Sequence, residues 1–92
     1  MYDSHSEIIK QHKTSVNENG EHREYVVYKK DGAFVTECIE WRMKSQNISG
    51  GSRNYYTEFE NQKDAVDKYD KILSEWEPKN KGVFPHTREW VG

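Results

Sequence analysis

The stretch REYVVYKKDGAFVTECIEWRMK, residues 23–44, decides how the rest of this chain is read. Two runs rich in β-branched and aromatic residues flank Asp31-Gly32, a dipeptide suited to the two positive φ angles of a type I′ turn. A two-residue loop fixes the register, so Lys30 should face Ala33, Tyr28 face Val35, Val26 face Glu37 and Glu24 face Ile39. Side chains alternate along a strand. One face therefore carries Val26, Tyr28, Val35, Ile39, Trp41 and Met43, interrupted by Glu37 and the Lys30 tip. The other carries Tyr25, Val27, Lys29, Phe34, Thr36, Cys38, Glu40, Arg42 and Lys44. Within the hairpin the first face is the more apolar, and it is the expected core side.

Outward from the hairpin, the N-terminal side is harder to read. Ile8 and Ile9 are adjacent and fit neither a period of 2 nor one of 3.6. Asn19-Gly20 is a second hairpin dipeptide, and a two-residue loop there would set Val16 opposite Arg23 and Lys13 opposite Val26. A first strand over 7–17 at the sheet edge is expected, with its lysines discouraging unwanted pairing; a short N-terminal helix is the alternative. The central strands span 22–30 and 33–44. Residues 45–52, SQNISGGS, form a turn-rich loop. A further strand follows over 53–59, with Tyr55 and Phe59 as its inward candidates.

A helix over 62–76 closes the regular part. Asn61 can cap its first turn, and Asp64 sits in the positively polarised end. Ala65, Val66, Tyr69, Ile72, Leu73 and Trp76 make one apolar stripe. Asp64–Lys68 and Asp67–Lys71 are spaced to pair along the helix, and Pro78 should stop it. The tail, 79–92, holds Val83, Phe84, Trp90 and Val91, which either pack back on the sheet or await a partner. The expected fold is α+β, an antiparallel meander of three to four strands with one C-terminal helix across one face, all within one domain over 1–92.

Composition narrows function mainly by exclusion. The 92 residues are 33% apolar and 33% charged, with mean hydropathy −1.17. Twelve aromatic residues, three Trp, six Tyr and three Phe, supply the buried area that such a polar chain otherwise lacks. A homodimer would ease the burden on so small a core. The net charge of −2 provides no global attraction for DNA, although residues 29–56 lean basic and 57–78 lean acidic. The single cysteine, Cys38, excludes an internal disulfide and fits a reducing cytoplasm. No secretory h-region and no membrane-length apolar run is apparent. Cys38, His5, His12, His22 and His86 lack metal-ligand spacing, so neither metal nor other cofactor is expected. Gly50-Gly51 lacks the features of a phosphate loop. No carboxylate pair looks placed for acid–base work, and the chain reads as non-enzymatic.

What remains is a surface. If the helix covers the Val26 face, the opposite face displays Tyr25, Lys29, Phe34, Arg42, Lys44 and Tyr56, with Arg53 beside them. Rings between basic groups on a sheet suit single-stranded nucleic acid, RNA ahead of DNA, where bases stack and phosphates meet Lys and Arg. The alternative partner is a host protein, held by the acidic helix or the apolar tail. Trp41-Arg42-Met43 on a strand, followed by another strand and an Ala/Tyr-striped helix, resembles the WGR nucleic-acid-binding domain. That family has glycine between Trp and Arg, so no residue roles carry over. In being short, charge-rich, aromatic-rich, cysteine-poor and motif-free, the chain resembles the small orphan early proteins of large lytic bacteriophages. That resemblance implies a non-catalytic protein that binds and diverts a host macromolecule in the host cytoplasm.

Overall fold

The computed structural model describes residues 2–16, 20–42 and 50–80. Four strands, β1 (Glu7–Lys13), β2 (Glu21–Lys30), β3 (Ala33–Arg42) and β4 (Gly51–Phe59), form one antiparallel sheet in the order β1-β2-β3-β4. A helix, α1 (Gln62–Lys71), continues through a π turn at Ile72–Trp76 into a short α2 (Glu77–Asn80) and packs on the sheet. The fold is α+β, a meander with one C-terminal helical segment.

The β2–β3 hairpin has the register its turn dictates. Asp31 and Gly32 both take positive φ, 53° and 82°, and the ladder runs from Lys30–Ala33 to Glu21–Arg42 without a slip. β4 continues it from Phe34–Phe59 to Arg42–Gly51, also unbroken.

β1 differs from expectation. Its register shifts between Ile8 and Lys10, leaving Ile9 as a bulge. Ile8 lies opposite Tyr28 and is 44% exposed, while Ile9 packs against the helix-side core. A bulge sends neighbouring residues to the same or opposite side out of turn, which is why the two isoleucines match no period. Beyond the bulge, Lys13 faces Glu24 rather than Val26, and Thr14 still pairs with Arg23 through its N–H to the Arg23 carbonyl (2.9 Å). The connection to β2 is therefore longer than two residues, and Asn17–Asn19 lie outside the described residues.

The helix lies on the face opposite to the one expected. Ala65, Tyr69, Ile72 and Trp76 pack with Tyr25, Val27 and Cys38, and Ile9, Phe34, Phe59, Val66 and Leu73 border that core. The reason appears once all four strands are summed. The Tyr25 side collects Ile9 from β1 and Phe59 from β4, and it receives the Thr36 hydroxyl, which donates to the Ala65 carbonyl at 2.6 Å. The Val26 side collects Gln11, Glu24, Glu37 and Asn54. The hairpin's greasier face is the sheet's more polar one. It is nonetheless buried around Val26, Tyr28, Val35 and Ile39, with Tyr2 packed on the first three. Met43 lies outside the described residues.

Asn61 caps α1 as expected, accepting from the Asp64 N–H at 2.9 Å. Asp67 pairs with Lys63 at 2.7 Å. Pro78 does not end the helix. One turn earlier the Glu77 N–H reaches back to the Ile72 carbonyl, so the backbone has already widened where a proline would break an ordinary turn.

Candidate interaction edge

Each residue expected to form an open aromatic and basic face can now be located. Tyr25 is 1% exposed and lies under the helix, edge-on to Trp76 at 6.4 Å between centroids. Its hydroxyl donates to Glu77 Oε2. Burial first, then the charges of its neighbours, pushes its ionisation well above the usual tyrosine range. Phe34 is half-buried against the same core, with the exposed Lys29 ammonium 5.6 Å from its ring centroid. Arg42 is ion-paired with Glu21, Nη2 to Oε2 at 3.2 Å. Arg53 is exposed on β4 opposite Glu40. Tyr56 is 59% exposed and faces the other side of the sheet, opposite Glu37. Lys44 lies outside the described residues, as does most of the 79–92 tail.

The pairing thus brings Tyr25, Lys29, Phe34, Arg42 and Arg53 to one side of the sheet, but it is the side the helix covers. Of these residues that are described, only Lys29, Arg53 and Tyr56 stay well exposed, and they are divided between two faces. The stacking platform expected from the sequence depended on the helix choosing the Val26 side.

The buried polar groups are committed to holding layers together. Arg23, 1% exposed, bonds Glu40 from Nε at 3.0 Å and Glu77 from Nη1 at 3.3 Å. Its guanidinium also lies 5.0 Å from the Trp76 ring centroid. This seam ties the sheet to the end of the helix. On the other face Glu37, fully buried, accepts from the Tyr28 hydroxyl at 3.0 Å and from Asn54 Nδ2 at 2.7 Å. Glu24 accepts from Tyr2 and Gln11, and the Glu24 contact raises the Tyr2 phenol to about 12. Cys38 is fully buried, and that burial pushes its thiol well above the usual range, so it is held as a neutral thiol. His12 stacks on Tyr25 at 6.5 Å. His22 stacks on Trp41 at 6.3 Å, with its Nδ1 buried and unbonded. Among the described residues no group of three metal-ligating side chains gathers.

The two sheet edges offer the sharper contrast. A sheet edge presents unpaired N–H and C=O groups, and proteins usually blunt it with lysines, prolines, bulges or brevity. β1 has seven residues, a bulge at Ile9, and Lys10 and Lys13. β4 has nine residues in unbroken register, with neither Lys nor Pro, and its first four residues are exposed. Among the described residues no strand pairs with its outer side.

The turn fixes which backbone groups face outward. A two-residue I′ loop closes with a hydrogen-bonded pair, here Lys30–Ala33, and bonded pairs alternate along an antiparallel ladder. Odd-numbered residues of β3 therefore bond to β2 and even-numbered ones to β4. By the observed register, the odd-numbered residues of β4 bond inward, and the backbone groups of Ser52, Asn54, Tyr56 and Glu58 point away from the sheet. The signal was present in the sequence: 51–59 carries no lysine or proline where 7–13 carries two lysines. It acquires meaning only when β4 is known to be terminal.

No protein family, curated protein or solved structure matches the chain. No helix among the described residues is long and apolar enough to cross a membrane.

Proposed function

We propose that this chain is a non-catalytic binding module that takes an extended polypeptide segment onto the outer side of β4 as a fifth strand. The observation that carries this reading is the unbroken nine-residue β4 edge, free of bulge, lysine and proline, beside a β1 edge that is bulged and lysine-bearing. In strand addition, backbone hydrogen bonds supply affinity and alternate side-chain positions supply selectivity. Here Arg53 and Tyr55 flank the added strand on the helix side, and Asn54, Tyr56 and Glu58 on the other. Of the two partner classes expected from the sequence, this reading takes the protein. A nucleic-acid surface would need Tyr25 and Phe34 as stacking rings, and one is buried and the other half-buried.

The test is an NMR titration of isotope-labelled protein with an array of extended nonapeptides and, separately, a mixed-sequence RNA 20-mer at low salt. Peptide-induced shifts centred on the Ser52, Asn54, Tyr56 and Glu58 amides support strand addition. Absence of any peptide response there, or an RNA response centred on Lys29, Arg53 and Tyr56 instead, overturns it.

A further inference from the structure

We infer that the strand added at β4 is the β4 of a second copy, joining two sheets through a two-fold axis at Tyr55. This rests on the strand-addition reading and names its partner. Side-by-side antiparallel strands related by a two-fold axis keep the same faces up, so directly opposed residues must share parity. Of the registers that satisfy this, the one placing Tyr55 opposite Tyr55 of the second copy uses the edge most fully. It sets Asn54 opposite Tyr56 of the second copy and Ser52 opposite Glu58 of the second copy. Those are the four residues whose N–H and C=O groups point outward, so each outward group of the strand gains a partner.

The charges are compatible with this arrangement. Within the strand Arg53 lies toward one end and Glu58 toward the other. Self-pairing in this register sets Arg53 opposite Thr57 and Glu58 opposite Ser52 of the second copy, so no like charges stand directly opposed. Tyr56, which is 59% exposed, is covered in part by Asn54 of the second copy. The helix of each copy packs over its own Tyr25 and Val27 on β2 and Cys38 on β3 and borders Phe59 on β4, so the two helices share one side of the joined sheet. A contact of one strand from each copy lies below about 1,200 Å², the range of weak and transient interfaces. The assembly is a concentration-dependent equilibrium.

Sedimentation velocity across a wide concentration range, with amide hydrogen exchange at its two ends, tests this. The expected result is a monomer–dimer equilibrium in which the Ser52, Asn54, Tyr56 and Glu58 amides gain protection as dimer forms. In a mixed-label dimer, an intermolecular contact between the amides of Asn54 and Tyr56 fixes the register. Tyr56→Pro removes an outward N–H and an exposed ring but no bond of the β3–β4 ladder, and should be monomeric with unchanged circular dichroism; Tyr56→Lys serves the same purpose if the proline variant does not fold. A dimer that survives in a folded Tyr56 variant overturns the inference. So does a chain that stays monomeric throughout. If that monomer still binds extended peptides at β4, only the second copy is lost as partner; if it binds none, strand addition falls with it.

Discussion

Arg23→Ala is the substitution for which the structure makes the largest demand. The guanidinium is 1% exposed and bridges Glu40 and Glu77, whose side chains are themselves only 10% and 16% exposed. Removing it leaves two carboxylates without their shared cation in the seam between β2, β3 and the end of the helix, with the Tyr25 hydroxyl still donating to Glu77. Breaking a buried ion pair from one side costs about 3–5 kcal/mol, and the cation–π contact with Trp76 adds up to about 2 kcal/mol. At roughly 0.05–0.15 kcal/mol per residue, 92 residues give a total stability of about 5–14 kcal/mol. The combined cost of about 3–7 kcal/mol is a fifth or more of that stability, a fall in Tm of roughly 12–56 °C at about 4–8 °C per kcal/mol. The companion variant replaces all three members, Arg23→Met with Glu40→Gln and Glu77→Gln. It should recover most of the loss, because no charge is left unpaired. Urea unfolding followed by circular dichroism measures both. A cost below about 1 kcal/mol for Arg23→Ala, or a triple variant no better than the single one, would refute the seam as the tie between sheet and helix.

Three further outcomes follow from buried groups. Burial raises the phenols of Tyr25 and Tyr28 above the ordinary tyrosine range near 10. Their neutral forms favour the folded state, so their contribution is complete below pH 10 and is lost as pH rises above it. Urea midpoints should fall between about pH 10 and 11, and less steeply in Tyr28→Phe. Cys38, buried with its thiol raised, should be alkylated only as fast as the protein unfolds; rapid modification of the native protein by iodoacetamide would contradict its burial. His22 Nδ1 is buried without a hydrogen bond. His22→Phe keeps a ring on Trp41 and removes that atom, so it should be neutral or stabilising by about 1 kcal/mol, and a loss above about 1 kcal/mol would show that the imidazole has a bonding role.

The elements that could be read from sequence are those governed by nearby residues. Asp31-Gly32 fixed the whole β2–β3 register, because both positive φ angles are cheap there and a two-residue loop allows one pairing. The Ala65–Trp76 stripe named every helix residue that enters the core. The choice of face did not follow, because it depends on all four strands. Gln11 and Asn54 on one side, and Ile9 and Phe59 on the other, reverse the preference of the hairpin alone. Ile9 could not be placed because a bulge breaks the alternation on which the reading relied. Pro78 implies a stop only where an ordinary α-turn precedes it, and here a π turn does. The expected binding residues inherit the error of face: Tyr25 and Phe34 share a side of the sheet with Lys29, but Tyr25 lies in the core and Phe34 borders it. The β4 edge is not legible in the sequence because a strand's position within a sheet is not written in its own residues.

The meander also separates two stages in how this chain reaches its final form. Every strand pairs with the next one along, so the sheet assembles from contacts between sequence neighbours, the kind that form fast. The seam is different, since Arg23 must find Glu77 at a separation of 54 residues. On a ribosome the hairpin around Asp31-Gly32 can pair long before Glu77 has been made. Until then Arg23 stands at the sheet surface in water, where its charge is harmless. The last turn of the helix is the latch, and synthesis delivers it late.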